Sequence, residues 1–267
     1  MGILNITPDS FSDGGNFFDP DKAITQAHHL IEDGAFVLDI GGESTRPGAT
    51  PVPAEEELRR VLPIIEALAQ EGKVVISIDS YKPQVVEAAL KAGAHWVNDI
   101  SGGRNPEMLA VCAHYGAPLI LMHMQGEPLT MQASPHYEDV SQEVYDYLLG
   151  QADKALKAGV PSVMLDVGIG FGKRLEDNLK LLQNLDKLVA QGFPVLLGAS
   201  RKRTIELIEG IKSPAGERDA GSIALHLYGL TKGVAMFRVH NVRAHHQALS
   251  VWRALEKPSH ASDELKG

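Results

Sequence analysis

Eight short apolar runs, separated by stretches with helical patterns, constrain the fold of this chain more than any other feature. The runs lie at residues 2–6, 36–40, 74–78, 95–98, 118–123, 162–166, 194–198 and 234–238. A buried parallel strand is a continuous apolar run, and a crossover, usually a helix, must lead to the next parallel strand. Eight such units in 267 residues predict a single-domain α/β fold, a closed (β/α)8 or TIM barrel, which typically needs ~250 residues.

A polar residue lies at or near the end of each run. These residues are Asn5, Asp39, Asp79, Asn98, His123, Asp166, Ser200 and Arg238. Because the chemistry of a TIM barrel gathers at the carboxyl ends of its strands, the pattern predicts one active site built from several of these side chains.

Composition and charge exclude several classes of protein. The formal net charge of −9 disfavours a general nucleic-acid or membrane surface. The sequence has no apolar run of ~18 residues that would span a bilayer. Because MGILNITPDS has no basic region followed by a long apolar stretch, we expect that it is not a signal peptide. The single cysteine of the chain, Cys112, cannot form an internal disulfide, which is typical of the cytoplasm. We expect Cys112 to be a core thiol, because it lies in an apolar helical pattern.

Helical patterns follow the runs, at about residues 20–33, 55–70, 83–92, 106–115, 139–158, 176–191, 201–231 with a break near Ser213-Pro214, and 242–256. Asp19-Pro20 and Asn105-Pro106 each place a capping residue before a proline that opens a helix. We expect the barrel to occupy residues 1–257 and a polar, disordered tail to follow at 258–267. Two long Gly-, Ser-, Thr- and Pro-rich segments, 7–18 and 41–53, follow the first two runs. They are interpreted as lids over the active site, the alternative being solvated connections.

Three strand-end residues suit recognition of a flat heterocycle. Asp79, Asn98 and Asp166 follow the third, fourth and sixth runs. A carboxylate can accept two parallel hydrogen bonds from an amino-pyrimidine edge, and an amide can both donate and accept there. The alternative is that each residue only caps a helix or ties down a turn.

Basic residues near the last two strands suit an anion. Ser200 is placed as a helix N-cap before Arg201 and Lys202, and helix N-termini bind anions. Arg238 and His240 alternate onto one side after the eighth run, at the corner where this fold usually binds phosphate. Alternatively, Ser200 only caps a helix whose basic residues face solvent, and Arg238 only pairs with a neighbouring carboxylate.

Other site types are not supported. DVGIGFGK (166–173) lacks the spacing of a dinucleotide fingerprint, and the eleven histidines show no zinc spacing. His123 remains a site candidate, and Met122 and Met124 beside it would pack on a planar ring or serve in the core.

Eight motifs occur in order along the chain: MGILNITPDSFSDGG, DIGGESTRPGA, SIDSYKP, NDISGG, LMHMQG, DVGIGFGK, GASRK and RVHNV. Together they resemble the dihydropteroate synthase family over essentially the whole chain. The resemblance implies a TIM-barrel transferase of folate synthesis that joins 4-aminobenzoate to 6-hydroxymethyl-7,8-dihydropterin diphosphate (below, pterin diphosphate). It further implies Mg²⁺ as cofactor, a homodimer, and an N-terminal β-hairpin that this sequence lacks.

The resemblance also assigns roles. For the pterin it implies Asp79, Asn98, Asp166 and Lys202, with Met122 and Phe171 beside them. For the diphosphate and Mg²⁺ it implies Asn5, Arg238 and His240, with Asn5 nearest the metal. Phe11 and Asp13 belong to the first loop and Thr45, Arg46 and Pro47 to the second, and Ser200 receives the aminobenzoate carboxylate. The residues expected to act on the reacting groups are Asp13, Arg46, Lys202 and Arg238.

The sequence departs from the family pattern at four positions. Val167 and Ile169 replace a usual Pro and Phe, Ser80 replaces a common Thr, and Asn241 stands where Asp is common. None of these removes a residue with an assigned role. Two competing interpretations remain: a methyltetrahydrofolate methyltransferase, which would need a cobalamin partner and no diphosphate subsite, and a non-catalytic pterin-binding paralogue.

Overall fold

Eight parallel strands form a closed barrel in the computed structural model, which describes residues 1–7, 19–44, 49–127 and 130–256. The strands pair in chain order: β1 (Gly2–Asn5), β2 (Val37–Gly41), β3 (Val75–Asp79), β4 (Trp96–Asp99), β5 (Leu119–Met122), β6 (Val163–Asp166), β7 (Val195–Leu197) and β8 (Met236–Phe237). A parallel bridge between Gly2 and Val239 joins the first strand to the end of the last, and Ile3 N–H donates to the Val239 carbonyl at 3.0 Å. The predicted TIM barrel is confirmed.

Helices surround the strands. They are α1 (Pro20–Glu32), α2 (Ala54–Glu71), α3 (Pro83–Lys91), α4 (Pro106–Tyr115), α5 (Val140–Lys157), α6 (Leu175–Gln183), α7 (Leu185–Val189), α8 (Arg203–Glu209), α9 (Asp219–Thr231) and α10 (Val242–Glu256). The predicted helix 176–191 is in fact two helices divided at Asn184. The break predicted near Ser213-Pro214 within 201–231 is confirmed: Gly210 ends α8 in the left-handed conformation, and a 3-10 turn, Ala215–Arg218, precedes α9.

The expected helix starts are formed by side-chain caps. Asp19 accepts a hydrogen bond from the N–H of Asp21 at 3.1 Å, and Asn105 accepts one from Glu107 at 3.0 Å. Each cap precedes a proline at the first helical position, which lacks an N–H that would otherwise be unsatisfied. These caps set where α1 and α4 leave the loops at the barrel mouth.

The main core lies between the strands and the helices. Leu38 and Ile40 of β2 both pack in this core. Because side chains alternate along a strand, Asp39 between them faces the barrel interior, where it is fully buried. Asp39 therefore lies at the centre of β2, so the expectation that it stands at or near the end of its strand is wrong.

Among the described helices, none is long and apolar enough to cross a lipid bilayer.

Candidate active site

A buried carboxylate, Asp39, connects three strands at the floor of the barrel mouth. Ser77 Oγ donates to its Oδ1 at 2.6 Å, and Asn98 Nδ2 donates to its Oδ2 at 2.9 Å. Arg238 Nε donates to the same Oδ2 at 2.5 Å. Strand register explains the meeting, since Asp39 pairs with Ser77 and Ser77 stands two residues before Asp79, which pairs with Asn98.

Arg238 joins Asp39 to a second carboxylate. Its Nη2 donates to Oδ2 of Asp79 at 2.6 Å, so one guanidinium serves two acidic groups. Burial raises the pKa of Asp79 to about 7, Arg238 opposes this shift, and the nearby charge of Asp39 adds to it. Although burial alone would lower the pKa of Arg238, Asp39 and Asp79 raise it. The floor thus holds one permanent cation, Arg238, and two carboxyl groups. The excess of acceptor oxygens suits a ligand with hydrogen-bond donors.

The opposite wall is formed by β6 and the loop that follows it. Burial raises the pKa of Asp166, whose Oδ1 accepts a hydrogen bond from Gly168 N–H at 2.8 Å. The Lys202 ammonium lies 4.0 Å from the centroid of the Phe171 ring, a cation–π contact. Asp166, Phe171 and Lys202 therefore place an acceptor, an aromatic face and a donor on one side of the mouth.

Apolar side chains form a small second cluster at this mouth. Its members are Ile100, Met122, Met124, Met131 and Phe171, with Tyr81 packed against them. The cluster is separate from the main core. Its thioethers and aromatic ring provide the polarisable surface on which a planar ligand can pack.

The loop between Asp166 and Lys173 is held from beneath by a buried lysine. Lys173 Nζ lies 2.9 Å from His123 Nδ1, and donates to the carbonyls of Phe171 at 3.0 Å and Gly168 at 3.1 Å. Burial lowers the pKa of Lys173 to about 7 and that of His123 to about 2. The neutral His123 therefore accepts through Nδ1 and supports the loop from behind.

Ser200 and His240 close the corner between β7 and β8. Ser200 Oγ lies 3.0 Å from His240 Nδ1 and accepts from His240 N–H at 3.1 Å. The expectation that Ser200 is the N-cap of a helix is wrong: α8 begins at Arg203, and Lys202 occupies the N-cap position. The pairing with His240 takes the place of the cap because both side chains leave adjacent strands.

Two histidines connect the same corner from behind. Ala199 N–H donates to His226 Nε2 at 3.3 Å, His226 Nδ1 lies 2.8 Å from His245 Nε2, and His245 Nδ1 lies 2.7 Å from the Asn241 carbonyl. Because a backbone N–H donates at one end and a carbonyl accepts at the other, each ring carries one proton, which lies on Nδ1 in both. Burial lowers the pKa of His226 to about 3 and also lowers that of His245, so both rings are neutral.

The structure brings many of the proposed residues to one mouth. These are Asn5 at the end of β1, Asp79, Asn98, Met122 and Asp166 at the ends of β3 to β6, and Phe171, Ser200, Lys202, Arg238 and His240 on the loops that follow β6 to β8. Phe11, Asp13, Thr45, Arg46 and Pro47 lie outside the described residues. Cys112 is buried, as expected, and burial raises the pKa of its thiol to about 12.

Sequence reasoning assigned no role to Asp39, Lys173 or the His226–His245 pair. Asp39 carries a usable signal, since a carboxylate inside an apolar run must face a polar interior or a partner. Lys173 ends a glycine-rich loop and resembles any surface lysine in sequence. The pairing of the two histidines depends on how α9 packs against α10, which periodicity does not specify.

This fold and mouth define a class. A TIM barrel with acidic acceptors, an aromatic–lysine pair and a basic corner at the carboxyl ends of its strands is a barrel enzyme for a flat, donor-bearing heterocycle with an anionic group. The family of pterin binding enzymes matches residues 1–240.

Individual relatives give a narrower assignment. The chain is 44% identical over 254 residues to dihydropteroate synthase of Streptococcus pyogenes serotype M6, covering 94% of this chain and 93% of that protein. It is 49% identical to the crystal structure of the Thermus thermophilus dihydropteroate synthase in complex with 4-aminobenzoate, with a TM-score of 0.86 over 96% of this chain and 93% of that one. That enzyme also has a structure with 6HMPPP.

A third relative, dihydropteroate synthase from Xanthomonas albilineans in complex with 7,8-dihydropteroate, is 42% identical, with a TM-score of 0.87 over 97% of this chain and 94% of that chain. The chain belongs to the pterin-binding enzymes and, among them, to the dihydropteroate synthase family.

Proposed function

We propose that the protein condenses pterin diphosphate with 4-aminobenzoate to give 7,8-dihydropteroate and diphosphate, as a C–N bond-forming transferase of folate synthesis. The observation that carries the proposal is the joining of two subsites in one mouth. An acidic, aromatic wall around Asp166 and Lys202 lies beside a basic corner around Arg238 and His240. The complexes of the relatives with 4-aminobenzoate and 7,8-dihydropteroate support the same pair of substrates.

The pterin ring is bound through its donor edge. Asp166 and Asp79 accept from ring and amino N–H groups, because both are buried carboxylates at the mouth. Lys202 donates to a ring acceptor while its alkyl chain and Phe171 cover the face of the ring. Asn98 is oriented for the same edge by its hydrogen bond to Asp39.

Departure of diphosphate is the step that needs positive charge. A cation at the pterin methylene is stabilised by the electron-rich ring, so the carbon–oxygen bond breaks before the amine attacks. Arg238 has five N–H donors, and those not used on Asp39 and Asp79 stabilise the charge that develops on diphosphate. His240 is held beside it by Ser200.

We propose that Mg²⁺ binds at this corner together with the diphosphate of the substrate, which supplies most of its ligands. Within the described residues, no group of three or more His, Cys, Asp or Glu side chains is able to hold a metal alone. Asn5, which is partly exposed at the end of β1, offers a hard amide oxygen, and Mg²⁺ commonly combines one such protein ligand with substrate phosphates and waters. When bound, the ion supplies charge neutralisation to diphosphate.

The two long loops supply the remaining groups of the proposal. By resemblance, Phe11, Thr45 and Pro47 of these loops bind substrate, and Ser200 receives the aminobenzoate carboxylate. Asp13 stabilises the cation, and Arg46 aids turnover. Exclusion of water by these loops protects the cation from hydrolysis.

A coupled assay of diphosphate release tests the proposed function. The assay contains purified protein, Mg²⁺ and pterin diphosphate, with and without 4-aminobenzoate, and chromatography measures dihydropteroate. We expect dihydropteroate and diphosphate in equal amounts, and only when both substrates are present. Release of diphosphate with no dihydropteroate at any 4-aminobenzoate concentration would reject a synthase, and absence of any turnover would favour the non-catalytic paralogue.

We also propose a cytoplasmic homodimer. Six large apolar side chains are exposed on or near α8, α9 and α10: Leu207, Ile208, Ile211, Tyr228, Val251 and Leu255. We infer that a second copy covers them, since exposed apolar surface of this kind marks protein interfaces. Sedimentation velocity of the wild type and of Ile208→Glu tests the dimer. We expect a dimeric wild type and a monomeric variant, whereas a wild type that already sediments as a monomer would refute the proposal.

A further inference from the structure

The turn after β7 contains a backbone conformation that needs outside support. Arg201 has φ of 58°, and no other non-glycine residue has a positive φ within the described ranges. For an L-residue with a long side chain this left-handed conformation is disfavoured. Such a conformation persists when the surrounding structure over-determines it. Arg201 separates Ser200 from Lys202, so its conformation decides where both side chains point.

Residues 218–222, which run from the 3-10 turn into the start of α9, supply the side-chain hydrogen bonds to Arg201 in the part of the chain that the structure describes. The N–H of Arg201 donates to Ser222 Oγ at 2.8 Å, and its carbonyl accepts from the Arg218 guanidinium at 3.3 Å. Its own guanidinium forks onto Asp219, with Nε 2.7 Å from Oδ1 and Nη2 3.0 Å from Oδ2. Asp219 is therefore the charged partner of this turn.

Asp219 also reaches the loop after β8. Asn241 Nδ2 donates to the same Oδ2 at 2.8 Å, and Asn241 directly follows His240 in sequence. Its other amide atom, Oδ1, accepts from Ala244 N–H at 3.1 Å. Because each end of the amide has a different partner, the nitrogen must face Asp219.

The contact requires a donor at position 241. An aspartate there would place a second carboxylate against that of Asp219. The amide of Asn241 instead supplies a donor. Arg201 lowers the pKa of Asp219, and Asn241 adds to the lowering, so Asp219 is ionised and a second negative charge beside it would be repelled. Asn241 and Asp219 are complementary to one another in this chain.

We propose that Asp219 and Asn241 are positioning residues that join the turns after β7 and β8. They hold Arg201 in its left-handed conformation and so aim Ser200 and Lys202 at the substrates. The proposal rests on the proposed function for the identity of those substrates. Neither residue contacts the reacting atoms, so the effect is on binding more than on the chemical step.

Three variants test the proposal: Asp219→Asn, Asn241→Asp and the two together. Asp186→Asn is a matched control, since Asp186 pairs with Lys232 at the other end of α9 at 3.4 Å and is exposed. For each protein, kinetics give kcat and both KM values, calorimetry gives the affinity for inorganic diphosphate with Mg²⁺, and calorimetric scans give Tm.

Asn241→Asp is expected to raise the KM values for pterin diphosphate and 4-aminobenzoate and the Kd of diphosphate about fivefold, with kcat changed less than about twofold. Adding Asp219→Asn should recover at least about half of that loss, because the new amide donates to the new carboxylate. Asp219→Asn alone should raise the same constants, and Asp186→Asn should match the wild type.

Wild-type constants in both single variants would overturn the proposal. So would a fall in Tm with unchanged KM values, which marks a merely structural contact, or a double variant whose losses simply add. Failure of the wild type to make dihydropteroate would refute the proposed function instead, and the diphosphate affinities of the variants would then decide the positioning role by themselves.

Discussion

Nε of Arg238 lies 2.5 Å from Oδ2 of Asp39, although 199 residues separate the two in the chain. Asp39 is fully buried, and Arg238 is one-fifth exposed. The pair joins β2 to the segment that follows β8. The charges of the proposed diphosphate corner and of the proposed pterin subsite are therefore coupled through this ion pair.

Asp39→Asn should weaken both stability and binding. It leaves Arg238 without one of its two charged partners, and breaking a buried pair typically costs about 3 kcal/mol. We expect a similar loss in the free energy of unfolding by urea denaturation, and a KM for pterin diphosphate raised about tenfold. Asp153→Asn, which removes an exposed pair with Lys157, is the control. A variant as stable as the wild type would show that Arg238 does not depend on Asp39.

His226→Leu should make the free energy of unfolding less dependent on pH in the acid range. In unfolded chains histidine has a pKa of ~6.5, whereas burial, with the neighbouring His245, lowers the pKa of His226 to about 3. Between these values the unfolded state binds more protons, so the free energy of unfolding falls as pH falls from 6.5 towards 3 and is fully recovered above 6.5.

Urea denaturation at a series of pH values measures this slope. In His226→Leu it should be smaller by up to about 1.4 kcal/mol per pH unit, whatever the loss at neutral pH. His136→Leu, at an exposed position, should keep the wild-type slope. Equal slopes in His226→Leu and the wild type would mean that His226 is not held neutral.

Lys173→Met should loosen the loop beneath Phe171. The change removes the lysine donor from His123 Nδ1 and from the carbonyls of His123 and Phe171, and each unsatisfied group costs about 1–3 kcal/mol. Phe171 then loses its fixed position under Lys202, so the KM for pterin diphosphate should rise about tenfold. Lys157→Met, at an exposed site, is the control. Normal binding by a destabilised variant would contradict the link between Lys173 and the pterin wall.

Gly168→Ala should be far more damaging than Gly192→Ala. Both glycines have positive φ, +67° and +88°, so both variants bear the left-handed penalty of about 1 kcal/mol. A Cβ at Gly168 would lie 2.0 Å from the His123 carbonyl oxygen, whereas one at Gly192 meets nothing within 4 Å. Thermal unfolding and pterin binding should separate the two. Equal losses would show that only backbone conformation matters.

Much of the architecture was predictable because it depends on local pattern. The apolar runs predicted all eight strands, and Asp19 and Asn105 marked helix starts through caps that act over two or three residues. The break within 201–231 was also predictable, from Ser213-Pro214. Residues 176–191 were instead predicted as one helix, whereas the chain divides at Asn184, whose carbonyl accepts a hydrogen bond from the hydroxyl of Tyr145 on α5 at 2.8 Å.

Site prediction from sequence reached the residues at strand ends and stopped at those that support them. Asp79, Asn98 and Asp166 could be grouped because parallel strands end at one edge. Ser200 was expected to cap a helix, yet it pairs with His240, a residue 40 positions later. Such pairings depend on the relative positions of loops that the sequence pattern does not describe.

The sequence alone determined the (β/α)8 fold, the parallel direction of its strands and the end of the barrel where polar side chains gather. It could do so because strand and helix periodicities depend on residues that are close together in the chain. Only the tertiary structure decided that Asp39 serves Arg238, that Lys173 supports Phe171 and that Asp219 meets Asn241. Each of these depends on distances of a few ångströms between groups remote in sequence, and the closing of the barrel sets those distances.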